Sequence, residues 1–200
     1  MHAARLILAS ASPRRRELLE QIGVRYRCDP AAIDESQRSG EHPSQYVLRM
    51  AQEKARIVAA RYRDSSVVVL AADTSVVIDD AVLGKPRDAA HAMDMLQSLG
   101  GRWHTVLTAV CITGNDRTDC ELVATEVEFV PLDQALCAAY LASDEPWDKA
   151  GAYAIQGLAG AFVRAISGSY SNVVGLPLCE TWQLLNAHGI PSSLTPSAHS

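Results

Sequence analysis

Val67-Val68-Val69-Leu70-Ala71-Ala72 is an unbroken apolar run that opens with three β-branched residues. A strand wetted on one face alternates polar and apolar residues; this one needs cover on both faces. Helices packed on either side of a sheet supply that cover, so the run points to an α/β fold. It ends at Asp73-Thr74. A carboxylate at the tip of a buried central strand either caps a turn or stands where ligands collect at strand ends in α/β sheets. Both readings stand from this stretch alone.

A second buried strand is expected at Leu6-Ile7-Leu8-Ala9, followed by a helix with Leu18, Leu19 and Ile22 on one side and Gly23 as its stop. Ser12 suits its N-cap and Pro13 its first turn. Arg14, Arg15 and Arg16 then crowd the helix N-terminus, where the positive end of the dipole disfavours cations. That is either a solvated basic first turn or a polyanion site made of free N–H groups, the Ser10 and Ser12 hydroxyls and guanidinium forks.

Charge separates these readings only in part. The 200 residues carry a net charge of −5, which argues against non-specific nucleic-acid binding, so a local basic cluster points to a small anionic ligand. With 48% hydrophobic residues the chain is ordinary for one soluble domain. No apolar run approaches the ~20 residues of a membrane span, and the N-terminus lacks signal-peptide character, so no membrane partner and a cytoplasmic location are expected. Cys28, Cys111, Cys120, Cys137 and Cys179 contain no C-x-x-C pair and read as reduced filler rather than a disulfide or zinc framework.

Along the chain, Val24–Cys28 alternates weakly as a short strand, and Ile33-Asp34-Glu35 lies in a loop. Ser44 to about Tyr62 repeats Val47, Met50, Ala51, Ala55 and Val58 at helical spacing, with Lys54 near the apolar face as a snorkelling side chain would be. Ser75–Ile78, Asp79-Asp80 and Ala81–Leu83 read as a hairpin delivering Gly84-Lys85-Pro86. Asp88 and Asp133 cap two further helices, the first stopped by Gly100-Gly101 and the second reaching Ser143. Thr105–Ile112, Leu122–Val130 and Ala161–Ile166 read as strands, Gly168–Asn172 as a polar turn, and a last helix starts near Pro177. Neither a Walker loop nor G-x-G-x-x-G is present. With no repeat or linker, residues 1–191 form a single expected domain; 192–200 have the composition of a disordered tail.

Seven short motifs now occur together and in order: Ser10-Ala-Ser12-Pro-Arg14-Arg15-x-Glu17, Ile33-Asp34-Glu35, Lys54-Ala55, Ala72-Asp73-Thr74, Gly84-Lys85-Pro86-x-Asp88, Lys149-Ala-Gly151-Ala-Tyr153-x-Ile-Gln156-Gly157 and Val174-Gly-Leu-Pro177. On these the chain, from residue 5 to about 188, resembles the Maf family of nucleoside-triphosphate pyrophosphatases. The resemblance implies a Maf/ITPase-like fold: a long mixed twisted sheet with flanking helices, two lobes around a central cleft, and often a homodimer. It implies hydrolysis of a nucleoside triphosphate to monophosphate and pyrophosphate with a divalent metal, Mg²⁺ or Mn²⁺. Carried over by motif, Asp73 is the catalytic proton acceptor. Ser10, Arg15, Lys54 and Lys85 hold phosphates, and Glu35 and Asp73 hold the metal. Arg14, Thr74 and Gln156 resemble the specificity set of the dTTP and UTP branch, where a 7-methyl-GTP branch carries Trp, Gln and Glu. A glutamine amide offers both the acceptor and the donors that uracil and thymine need. A nucleotide-binding regulator is the rival reading, disfavoured because a sensor needs cations but no base.

Overall fold

The computed structural model describes residues 5–114 and 117–195. Its strands are β1 (Arg5–Leu8), β2 (Tyr26–Cys28), β3 (Val67–Ile78), β4 (Ala81–Leu83), β5 (Trp103–Gly114), β6 (Arg117–Phe129) and β7 (Val163–Ser167). Its α-helices are α1 (Pro13–Gln21), α2 (Pro43–Ala59), α3 (Ala89–Leu99), α4 (Gln134–Leu141), α5 (Tyr170–Val174) and α6 (Leu178–Ala187), with short 3-10 turns between α4 and β7. The seven strands make one mixed sheet in the order β2-β1-β3-β5-β6-β7, with β4 on the same edge of β3 as β1 but further along. β1 runs parallel to β2 and β3; the other pairings are antiparallel.

β3 is buried on both faces, as its composition demands. On one face Val69 and Ala71 meet Val47, Ala51, Ala55 and Val58 of α2. On the other, Val68, Leu70 and Ala72 pack with Leu18 and Leu19 of α1 and Leu184 and Leu185 of α6. Further along that second face, Val76 and Ile78 join a separate cluster with Leu96 and Leu99 of α3 and Tyr140 of α4. Full burial of a leucine side chain is worth about 1.5–3 kcal/mol, so Leu18 and Leu19 outweigh the ~0.3–1 kcal/mol that each cation costs at the start of α1.

Four sequence expectations need correction. β3 does not end at Asp73-Thr74: the polar trio Asp73-Thr74-Ser75 stays in the strand, paired with Ala109, Thr108 and Leu107 of β5. What ends there is the neighbour on the other edge, since β1 pairs only as far as Leu8 with Leu70 and β4 begins at Leu83 with Val76. Gly168–Asn172 is not all turn: Ser169 caps α5 through its side chain. Ser12 occupies the N-cap of α1 without a side-chain cap bond; its own N–H donates to Ser10 Oγ instead. Finally, Cys111 and Cys120 are not free filler but a disulfide. The antiparallel register sets them directly opposite each other, 4.1 Å apart at Cα, and register is invisible to a search for C-x-x-C spacing.

Ser192–Thr195 close a hydrogen-bonded turn, and Ser193 donates its N–H to Ile22 O. The remaining tail expectation, 196–200, lies outside the described residues. Among the described residues no helix is long and apolar enough to cross a membrane.

Candidate active site

Residues 71–75 of β3 have no strand partner on the edge that β1 and β4 share, and there a cleft of about 590 Å³ opens. Every residue to which the resemblance gives a role lines it: Ser10, Arg14, Arg15, Glu35, Lys54, Asp73, Thr74, Lys85 and Gln156; Arg16, the third arginine of the cluster, faces away from it.

Asp73 points to the α2 side, where Lys54, on the helix one turn before Val58, reaches it. Lys54 Nζ donates to Asp73 Oδ1 at 2.7 Å and lies 2.6 Å from Glu35 Oε1, so one ammonium bridges two carboxylates. Asp73 and Lys54 are nearly buried, whereas the Glu35 side chain is half exposed. Glu35 sits on a loop tied to α2: Tyr46 donates its hydroxyl to Glu35 O at 2.8 Å, and Arg49 donates to Ser36 O at 3.0 Å. Burial first, then the charges of Asp73 and Glu35, push the Tyr46 phenol up to about 12, which keeps it a donor. Burial also pushes Asp73 above the usual carboxylate range, against the pull of Lys54 and Arg15. For Glu35 burial raises the carboxyl too, but the Lys54 hydrogen bond and the charges of Lys54, Lys85 and Arg15 outweigh it and hold the group low.

Arg15, on α1, spans to the far end of the chain. Its Nε donates to Gly175 O at 2.8 Å, Nη1 to Ser10 Oγ at 3.1 Å and Nη2 to Thr74 Oγ1 at 3.1 Å. Three neutral acceptors hold the guanidinium without neutralising it, so its charge is available to an anion. Gly175 follows α5 with φ +124°, a conformation that favours glycine and turns its carbonyl to Arg15. Lys85 is exposed on the loop after β4, which Gly151 pins by donating its N–H to Gly84 O at 3.0 Å. Arg14 lies 3.8 Å from Asp148, and Gln156 is exposed on the loop that Glu145 clamps through Leu158 N and Ala159 N.

The sequence reading missed Gly175 as Arg15's acceptor and the buried pair Thr108 and Asn172 behind Thr74. Val174-Gly-Leu-Pro177 marked the first; nothing local marks a threonine inside the apolar run Thr105–Ile112.

Cations and paired carboxylates share one cleft at the open edge of a mixed α/β sheet, an arrangement chemically suited to an anionic ligand. The Maf-like protein family matches residues 5–188, and the chain belongs to it. The dTTP/UTP pyrophosphatase of Anaeromyxobacter sp. (strain Fw109-5) is 53% identical over 194 residues, covering 94% of this chain and 92% of the relative. Those of Escherichia coli (strain K12) and Methylobacillus flagellatus are 52% identical over 183 residues, covering 90% and 91%, and 47% over 190 residues, covering 95% and 96%.

Proposed function

We propose that this protein hydrolyses dTTP and UTP between the α- and β-phosphates, giving the nucleoside monophosphate and pyrophosphate. The observation that carries the reading is the Asp73–Lys54–Glu35 bridge facing Arg15 across a single cleft, in a chain about half identical to proteins named for that activity. Phosphoryl transfer needs positioning and charge neutralisation more than covalent help. Arg15, Lys85 and Ser10 supply cations and a hydroxyl to the phosphates, and Lys54 adds a third cation while holding Asp73 in place. Asp73 accepts the proton of the attacking water; the new bond joins the water oxygen to the α-phosphorus, and the bond to the bridging oxygen breaks, sending the electron pair to pyrophosphate.

The donor set fits a hard divalent cation such as Mg²⁺ or Mn²⁺. Asp73 Oδ2 and Glu35 Oε2 carry no hydrogen bond among the described residues, and one ammonium against two carboxylates leaves net negative charge. No group of three or more His, Cys, Asp or Glu residues there can cage a metal, and Mg²⁺ commonly relies on one or two carboxylates plus substrate phosphate oxygens. Glu35 and Asp73 would hold the ion, which supplies charge neutralisation at the phosphates.

Arg14, Thr74 and Gln156 meet the base in this reading. Their residue types and the names of the relatives favour dTTP and UTP over 7-methyl-GTP. The test is pyrophosphate release from dTTP, UTP, CTP, GTP and 7-methyl-GTP, with and without Mg²⁺. Release confined to thymine and uracil triphosphates is expected. Nucleotide binding without release, unaffected by Mg²⁺, refutes the enzyme in favour of a regulator.

A further inference from the structure

Behind the cleft a run of buried polar groups leads inward from Thr74. Thr108 stands opposite it on β5 and is fully buried. Thr108 Oγ1 lies 2.9 Å from the carbonyl oxygen of Asn172 and 3.0 Å from Thr74 Oγ1. A carbonyl only accepts, so the one hydroxyl hydrogen of Thr108 goes to Asn172. Thr108 has none left to give Thr74, and the contact between the two hydroxyls requires Thr74 to be the donor. The Thr74 hydrogen is thereby turned into the protein. Its oxygen also accepts from Arg15 Nη2, leaving one lone pair to face the cleft. The competing acceptor for that hydrogen, Gly175 O, is more distant, at 3.5 Å against 3.0 Å for Thr108 Oγ1.

Asn172 is itself fixed. Fully buried, it donates Nδ2 to Val106 O and to Thr125 Oγ1, each at 3.0 Å. Because Val106 O can only accept, the amide has one orientation. Its backbone N–H donates to Ser169 Oγ, the cap of α5.

We infer that Thr108 and Asn172 are positioning residues that lock Thr74 as a hydrogen-bond acceptor toward the cleft, so that the site selects a base with a ring N–H donor, uracil or thymine, against cytosine. The inference rests on the pyrophosphatase reading above and deepens it. Uracil and thymine present acceptor, donor, acceptor along their pairing edge; cytosine presents donor, acceptor, acceptor, with a bare N3 in the middle. Arg14 offers donors only and Gln156 an amide with both, so a carbonyl on either side of N3–H finds a partner. A Thr74 lone pair meeting the bare N3 of cytosine leaves two acceptors facing each other, the kind of mismatch a polar site rejects strongly.

The test is kcat/KM for UTP and CTP in wild type, Thr108→Val and Thr108→Ser, with thermal unfolding alongside. Thr108→Val keeps the shape but removes the acceptor, freeing the Thr74 hydrogen to turn toward cytosine. The preference for UTP over CTP should fall about 10-fold or more. The change should come mainly through KM for CTP, because the phosphate contacts are untouched. Thr108→Ser should restore the preference; looser packing would instead lower kcat on both substrates and leave their ratio alone. An unchanged ratio in folded Thr108→Val, or an equal shift in Thr108→Ser, overturns the lock. If Thr108→Val does not fold, Thr108→Ala is read in the same way. Wild type that turns over UTP and CTP equally overturns the lock and leaves the pyrophosphatase standing; wild type that releases no pyrophosphate from any triphosphate overturns both.

Discussion

Asp73→Asn separates a catalytic carboxylate from a structural one, because the two roles predict opposite signs for stability. Asp73 is 8% exposed, and burying a charge costs several kcal/mol before its partner repays it. The amide that replaces it can still accept from Lys54 through its carbonyl oxygen, and Lys54 keeps Glu35 as a counter-charge. What is lost is the charged part of one hydrogen bond, about 1–2 kcal/mol. What is relieved is the desolvation of a carboxylate, of similar or larger size. The folded state should therefore hold or gain stability, within about 1 kcal/mol. Turnover should fall about 10²–10⁴-fold, since an amide cannot take up the proton of water. The assay is kcat for pyrophosphate release from dTTP at saturating Mg²⁺, paired with urea unfolding of the same sample. Turnover within a few-fold of wild type refutes the proton-acceptor role. A fall in activity matched by a loss of 3 kcal/mol or more, the figure for breaking a buried pair, shows Asp73 to be structural instead.

Arg15→Ala and Lys85→Ala should each reduce kcat/KM about 10–100-fold on dTTP and UTP alike, as loss of a charge-assisted phosphate contact does. A kcat/KM within a few-fold of wild type refutes the phosphate role of either, and so does a changed base preference in Lys85→Ala, since it is Arg15 that bonds Thr74. Reductant should lower the unfolding free energy by about 2.5 kcal/mol, the loop-closure value for a sequence separation of 9, with a melting temperature some 5–10 °C lower and dTTP turnover at 25 °C unchanged, because neither Cys111 nor Cys120 lines the cleft. His104, buried against Phe129 and bonded to Tyr153, has its pKa pulled down to about 4 by burial, so it stays neutral in the fold while the unfolded chain takes up a proton below about pH 6.5. Its contribution to stability is complete above that pH and is lost as pH falls from 6.5 to 4, by up to about 3 kcal/mol. His104→Gln should flatten that part of the profile, measured as unfolding free energy at pH 7 and 4.5; equal slopes in both proteins refute it.

The helices were legible where a local rule governs them. Asp88 and Asp133 each accept from the backbone N–H three residues on, as N-caps should, and the apolar stripe of α2 faces β3. β3 was misjudged because Asp73-Thr74-Ser75 looks like an ending; only pairing with β5 shows that buried polar residues continue the strand. The site was legible through motif resemblance more than through local physics. Lys54 alone reads as a lysine snorkelling off an apolar stripe. Its meaning comes from Asp73, 19 residues away, just as that of Arg15 comes from Thr74 and Gly175, 59 and 160 residues away. Such contacts depend on register, and register belongs to the folded sheet rather than to any window of sequence. The Cys111–Cys120 bond and the Thr74–Thr108 contact were hidden for the same reason.

Strand alternation explains how one cleft could serve the two kinds of ligand group that the proposed reaction needs. Successive side chains of β3 leave opposite faces, so Asp73 turns to α2 and Lys54, while Thr74 turns to the seam between the α1–α6 cluster and the α3–α4 cluster. A solvent pocket on one face of a sheet reaches only one such residue. Here β1 stops beside Leu70 and β4 starts beside Val76, and the bare edge of residues 71–75, about 16 Å of strand, lets the cleft wrap around to both. Phosphate chemistry can then occupy the Asp73 side and base recognition the Thr74 side, with the Arg15 guanidinium at the joint, bonded to Thr74 and electrostatically coupled to Asp73. A one-residue slip of β3 against β5 would exchange the faces, sending the carboxylate to the base and the hydroxyl to the phosphates. Nine registered pairs from Val69–Thr113 to Val77–Thr105 stand against that slip, so the long β5–β6 hairpin, most of it remote from the cleft, belongs to the chemistry as much as to the fold.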